Sequence, residues 1–186
     1  DTEKAGDGKN LFELLVEKPE KQWTIEETIA RARDDLEPHF PPDTGTFYSD
    51  TNFQLLGMII EKLTHKPLYL VFEDFFFHPL GLKHTWLSGF SEIPDVQSAI
   101  PADVFYQETD ITRVRSNSAY WADGGIISTA EEMIIFLKAL REGKIISEET
   151  LALMHNWHNL SFPMQYGYGT MYFNLPPSMG QVTGLA

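Results

Sequence analysis

The stretch Pro41-Pro42-Asp43-Thr44-Gly45-Thr46-Phe47-Tyr48-Ser49-Asp50-Thr51-Asn52-Phe53-Gln54-Leu55-Leu56-Gly57-Met58-Ile59-Ile60-Glu61 changes character halfway along. Its first half is built from Pro, Gly and Thr, the punctuation of a turn. From Asp50 onward Phe53, Leu56, Ile59, Ile60 and Leu63 recur at helical spacing, which predicts an amphipathic helix over 51–64 with those residues on its buried face. Tyr48 and Asp50 stand just ahead of it, two apart, so an extended backbone aims both side chains to the same side. Asp50 also suits a helix N-cap, a reading of equal weight to a catalytic one.

Working outward, other helices announce themselves by their caps. Thr24 followed by Glu27 forms a capping-box pattern, with Ile25, Ile29, Ala32 and Leu36 on one stripe and Glu27 and Arg31 spaced for an ion pair. Leu68, Val71, Phe72, Phe75 and Phe76 predict a helix over 68–77, stopped by Pro79 and Gly81. Ser128 and Glu131 form a second box ahead of Met133, Phe136, Leu137 and Leu140, with Gly143 as terminator of a helix over 129–142. Shorter helices are expected around Leu11, Leu14 and Leu15, and from Ser147 through Leu151, Met154 and Trp157. The residues from His84 to Asp123 carry no sustained period, a mark of a functional loop layer or of a misread element. Tyr166-Gly167-Tyr168-Gly169-Thr170-Met171-Tyr172-Phe173 reads as one strand, whose partners lie in the irregular stretch or outside the chain.

The 186 residues suffice for one helix-rich domain spanning 1–186, and 42% hydrophobic content excludes global disorder. Fourteen Lys and Arg against 27 Asp and Glu give a net charge of −13, which repels phosphate backbones and argues against nucleic-acid binding. No apolar run is long enough to span a membrane. The absence of cysteine removes disulfides, thiolate nucleophiles and cysteine metal sites, and leaves the compartment open. Neither end reads as a natural terminus: Asp1 is not a methionine, no signal segment follows it, and the chain reads as part of something longer.

Candidate chemistry is sparse. His155 and His158 are spaced to share a helix face, yet zinc needs three or four converging ligands and none accompanies them, so no metal and no cofactor is expected. Asp123-Gly124-Gly125 lacks the pattern of a phosphate-binding loop. The paired carboxylates at residues 26–27, 34–35, 131–132 and 148–149 sit near helix N-termini or on polar faces, where acidic side chains favour the helix dipole.

Five segments, in order, are more telling. Pro41 to Glu61 resembles the second signature of the serine β-lactamase and penicillin-binding-protein superfamily, especially its class C-like and esterase branch: a Pro-Gly-Thr-like turn, Tyr-Ser-Asn, then an amphipathic helix. Phe77-His78-Pro79-Leu80-Gly81-Leu82-Lys83-His84-Thr85 is similar to that superfamily's Pro-Leu-Gly-Met-Lys-Asp-Thr stretch. The likeness continues at Gly124-Gly125-Ile126-Ile127-Ser128-Thr129-Ala130-Glu131-Glu132-Met133, at Ile146 to Met154, and at Tyr166-Gly167-Tyr168-Gly169.

The resemblance implies a mainly α chain, the helix-rich lobe of a β-lactamase-like α+β fold with little strand near the C-terminus. It implies acyl-serine hydrolysis of an ester, a β-lactam or a D-amino-acid peptide in the full-length parent. Tyr48 then takes the place of the family's general base. A phenol ordinarily titrates near pH 10, so this role needs nearby positive charge, from the following helix N-terminus or a lysine. Asp50 stands where the family often has Asn, and a carboxylate only accepts hydrogen bonds, which alters any substrate contact there. Trp121, Tyr120 and Asp123 precede the Gly-Gly turn and either line the cleft or pack in the core.

The nucleophile motif Ser-x-x-Lys is absent: no serine here has lysine three residues later. The third motif, Lys/His-Ser/Thr-Gly, has only its last letters at Thr183-Gly184, with Val182 in the cation's place. The chain alone is therefore expected to be inactive and to self-associate through an apolar face normally covered. The alternative is a binding or regulatory module that keeps the fold without turnover.

Overall fold

The computed structural model describes residues 3–93, 100–175 and Ser178. The third-motif region at residues 182–184 lies outside them. Contacts along the chain divide it into two compact units, Asp1–Glu37 with Ser49–Ile135 and Pro38–Tyr48 with Phe136–Ala186.

In the first unit, α1 (Leu11–Glu17) and α2 (Ile25–Asp35) each start with a complete capping box, Asn10 with Glu13 and Thr24 with Glu27. The Glu27–Arg31 pair does not form. Glu27 instead meets Lys21 at 2.9 Å, and Arg31 turns to Asp7. After α3 (Asp50–Thr64), His65 in the left-handed region ends the helix. The helix expected over 68–77 is present and runs on to Leu80 without a gap: α4 (Leu68–Phe72) widens into a π-helical turn, Glu73–Phe77, before the short α5 (His78–Leu80) and its left-handed stop at Gly81.

The stretch without period is a set of short pieces. Strand β1 (Trp86–Leu87) pairs antiparallel with β4 (Ile126–Ile127), and β2 (Phe105–Tyr106) with β3 (Thr109–Asp110). A 3-10 segment, Arg115–Tyr120, leads into α6 (Trp121–Gly124). Side-chain-to-backbone bonds hold that segment, which is why no apolar period marks it. Ser116 Oγ donates to the Leu15 carbonyl at 2.8 Å, and Ser118 Oγ accepts from the Trp23 N–H at 2.8 Å. Around them lie two cores, Leu14, Leu15, Trp23 and Ala119 in one and Leu68, Leu87 and Trp121 in the other.

Helix α3 meets the sequence expectation only in part: Phe53 is half-buried and Ile60 packs against the core of Leu68, Leu87 and Trp121. Gln54 and Gly57 are buried, whereas Leu56, Ile59 and Leu63 are 51%, 51% and 75% exposed. The cause is Gly57. Without a Cβ it lets the Trp121 ring and Ala122 lie against the helix, where a methyl would meet them at 2.7–2.9 Å. Periodicity identifies an apolar face, but not what covers it.

Helix α7 (Ala130–Arg141) begins in the first unit and ends in the second. Its cap is Thr129, whose hydroxyl accepts from the Glu132 N–H at 3.2 Å, rather than the expected Ser128. Gly143, at φ +69°, terminates it, with the Lys144 N–H bonded back to the Ala139 carbonyl.

In the second unit, α8 (Glu148–Met154) starts at the Ser147 cap and stops before Trp157. The single strand expected over 166–173 is a corner of a three-stranded antiparallel sheet, β5 (His158–Ser161), β6 (Met164–Tyr166) and β7 (Met171–Phe173). Its partners come from the residues immediately before it. Gly167 and Gly169 serve the turn, with Gly169 at φ +70°. Helices dominate throughout, which makes the chain a helix-rich α+β structure. Among the described residues no helix is long and apolar enough to cross a membrane.

Candidate functional site

Tyr48 belongs to the second unit and Asp50 to the first, because the division falls between Tyr48 and Ser49. Tyr48 is half-buried, its ring edge-on to that of Tyr166 with centroids 5.5 Å apart. That edge-to-face contact fixes the ring plane and leaves the hydroxyl end to be directed by polar groups. Ser49, extended at φ −146°, occupies the N-cap position and Asp50 is the first helical residue, not the cap.

Within the first unit, Asp50, Thr51 and Gln54 from α3, Asp123 from α6 and Arg31 from α2 line a cavity of about 30 Å³, room for one water-sized group. Asp50 and Gln54 reach it together because residues four apart share a helix face. Gln54 is only 2% exposed, and its amide donates to the Ala119 carbonyl at 2.8 Å, which settles which end is nitrogen. Its Oε1 is buried and, among the described residues, has no hydrogen-bond partner; the same holds for Asp123 Oδ1.

The electrostatics follow from that burial. Loss of solvent raises the Asp123 carboxyl to about 6, partly offset by the Gln54 amide and reinforced by the negative charge of Asp50. Burial also pushes the Tyr120 phenol up, helped by Asp123 and Asp50. Arg31 does not neutralise the cavity. Its guanidinium is held bidentate by Asp7 at 2.8 and 3.1 Å and donates as well to the Lys9 carbonyl. That grip brings the Asp7 carboxyl down to about 2.

The second candidate for substrate contact, Trp121, is 3% exposed and packed among Leu68, Leu87 and Phe90, a position that fits the core alternative. Gln54 escaped sequence reasoning. The available signal was a polar residue at i+4 from Asp50 inside an otherwise apolar run.

Glu132 is the other concentrated polar feature. At 7% exposure it accepts from the backbone N–H groups of Lys83 (2.7 Å) and His84 (2.9 Å) and from the Thr85 hydroxyl (2.6 Å). Those bonds outweigh its desolvation and hold its carboxyl below the ordinary value. It clamps the loop after α5 to the start of α7. The two histidines read as neighbours on one helix are not so placed: α8 ends at Met154, His155 stacks on Trp157, and His158 opens β5. Among the described residues no three His, Cys, Asp or Glu side chains converge on a metal position.

Comparison with known proteins agrees with this architecture. A D-stereospecific amidohydrolase from Streptomyces sp. superposes with a TM-score of 0.73 at 30% identity, over 87% of this chain and 48% of that one. The D-amino acid amidase of Ochrobactrum anthropi SV3, complexed with D-phenylalanine, gives a TM-score of 0.69 at 27% identity over 83% of this chain and 48% of its own. The teichoic acid D-alanine hydrolase of Staphylococcus aureus is 24% identical over 140 residues, 74% of this chain and 34% of that protein. The chain thus spans from a third to a half of the length of these relatives. With residues 6–184 matching the family profile Beta-lactamase, the chain belongs to the Beta-lactamase family of hydrolases.

Proposed function

We propose that the protein carrying this chain is an acyl-serine hydrolase acting on amides or esters of D-amino acids whose amino group is free. The observation that carries the reading is the set of carboxylates on one small cavity, Asp123, Glu3 and Asp50, the last ending the Tyr-Ser-Asp motif. β-Lactams present a carboxylate of their own, and like charges facing one another across a site cost affinity. A protonated amino group reverses that sign. The teichoic acid D-alanine hydrolase and the D-amino acid amidase that this chain is similar to support the same choice among the ester, β-lactam and D-aminoacyl substrates open to the family.

In this reading a serine supplied by a Ser-x-x-Lys segment of the fold attacks the acyl carbonyl. Tyr48 accepts the hydroxyl proton and returns it to the departing amine or alcohol, and water then hydrolyses the acyl-enzyme. Tyr166, by packing edge-on against Tyr48, positions its ring.

The test uses a natural form of the protein that includes a Ser-x-x-Lys segment. D-Alanine amide and a D-alanyl ester are expected to be cleaved, their L-counterparts and a chromogenic cephalosporin far more slowly. Tyr48→Phe is expected to lower kcat by about 10²–10⁴, the usual contribution of a general base. Faster turnover of the cephalosporin than of D-alanine derivatives would refute the substrate class. An enzyme inert toward all of them would favour a binding module.

A further inference from the structure

The cavity between α2, α3 and α6 has a composition that water does not explain. Its buried unpartnered atoms, Gln54 Oε1 and Asp123 Oδ1, are acceptors, and Asp50 adds a third accepting group. A single water offers two hydrogens, whereas a primary ammonium offers three and carries a charge opposite to that of the carboxylates on the wall. The Gln54 amide cannot rotate to supply a donor in place of its oxygen, because its nitrogen is engaged by the Ala119 carbonyl. Arg31, the cation on the wall, is committed to Asp7 and the Lys9 carbonyl. A divalent metal fits poorly: Glu3 lines the cavity with Asp50 and Asp123, yet among the described residues no three His, Cys, Asp or Glu side chains are placed to hold a metal ion, and such ions take six or more oxygen ligands.

We propose that this cavity is a binding site for a small primary ammonium group, held by Asp123 Oδ1, Gln54 Oε1 and the Asp50 carboxylate. The identification of that group as the amino group of a D-aminoacyl substrate rests on the function proposed above; the site itself does not. In this assignment Gln54 and Asp123 are specificity-determining residues, and neither performs a bond-making step. The volume of about 30 Å³ sets the size limit: an –NH₃⁺ head enters, and a quaternary ammonium does not.

The experiment uses the isotope-labelled 186-residue chain, titrated at constant ionic strength with methylammonium, potassium or tetramethylammonium chloride. NMR follows the Gln54 side-chain amide and the Asp123 carboxyl carbon. Methylammonium is expected to shift both signals saturably and tetramethylammonium to leave them unchanged. Saturating methylammonium should also move the Asp123 titration midpoint downward from about 6, because a bound cation favours the carboxylate. This readout requires no variant. Asp123→Asn should weaken methylammonium binding at least about tenfold, the loss of one charge-assisted bond.

An unmoved midpoint, equal shifts with tetramethylammonium, or potassium binding as tightly as methylammonium would overturn the proposal. The two readings fail separately. Methylammonium binding without cleavage of D-alanine amide by the longer protein removes the substrate assignment and leaves the site standing. Cleavage of D-alanine amide with an unchanged KM in Asp123→Asn removes the site and leaves the reaction.

Discussion

Replacing Asp123 by Asn should make the first unit more stable at neutral pH, although it deletes a charge from a hydrogen-bonded position. The carboxyl titrates at about 6 in the folded chain against 3.8 in the reference state. A group whose folded pKa is raised binds its proton more tightly in the folded state, so folding is penalised once the carboxyl ionises. The penalty is absent below about pH 3.8, grows between there and pH 6, and is complete above it. The full difference corresponds to about 3 kcal/mol at pH 7, and solvent on the half-buried group screens it to about 1–2 kcal/mol. Asn keeps the shape and adds an N–H₂ that can satisfy the orphan Gln54 Oε1. Among the described residues the polar groups around Asp123 are Asp50, Gln54, Tyr120 and, on the same cavity, Glu3, none of them cationic, while Arg31 on the cavity wall is tied to Asp7. Urea unfolding followed at pH 7 and at pH 4 measures the effect: a gain of about 1–2 kcal/mol at pH 7 that shrinks toward zero at pH 4. A loss of stability at pH 7, or a gain that persists undiminished at pH 4, would refute the argument from burial.

Glu132→Ala strands the N–H groups of Lys83 and His84 and the Thr85 hydroxyl, and should cost about 3 kcal/mol in the same assay, with Glu132→Gln losing less because it keeps one acceptor oxygen. Equal effects of the two would show that charge, not acceptor count, holds the loop. The 186-residue chain should release no product from D-alanine amide or a p-nitrophenyl ester and should form no fluorophosphonate adduct by mass spectrometry, since none of its serines has the Ser-x-x-Lys lysine; an adduct at Ser49, Ser116 or Ser118 would reverse this. We further expect self-association through the α3 stripe of Leu55, Leu56, Ile59 and Leu63, restrained by the −13 charge and therefore stronger at high salt, where light scattering should show a larger mass. The double variant Ile59→Lys with Leu63→Lys should abolish that increase, and a mass that still rises with salt would place the association elsewhere.

The helices were legible wherever a cap and a period coincided, as at Thr24, where both halves of the capping box form. Family membership was legible in the order of five short segments, each weak alone. Three features were hidden for physical reasons. The side of α3 that packs flush is set by the contact of Gly57 with Trp121, which are 64 residues apart and carry no joint signal in sequence. The segment from Arg115 to Tyr120 is fixed by serine hydroxyls bonding to remote backbone, and such bonds leave no periodic trace. Gln54 sits in an apolar run as a polar residue facing inward, and only the position of Asp123 gives that meaning.

The flush contact at Gly57 has a consequence for how variants of this protein would be interpreted. A methyl at that position must open a gap against Trp121 and Ala122, now 2.7–2.9 Å from where it would lie. Helices α3 and α6 would separate, and Gln54 and Asp123 ride on those two helices one turn or less from the strained point. A Gly57→Ala variant would thus change the width of that cavity, although Gly57 is not among the residues that line it. The glycine works as a spacer gauge, setting the width of a recess by what it omits.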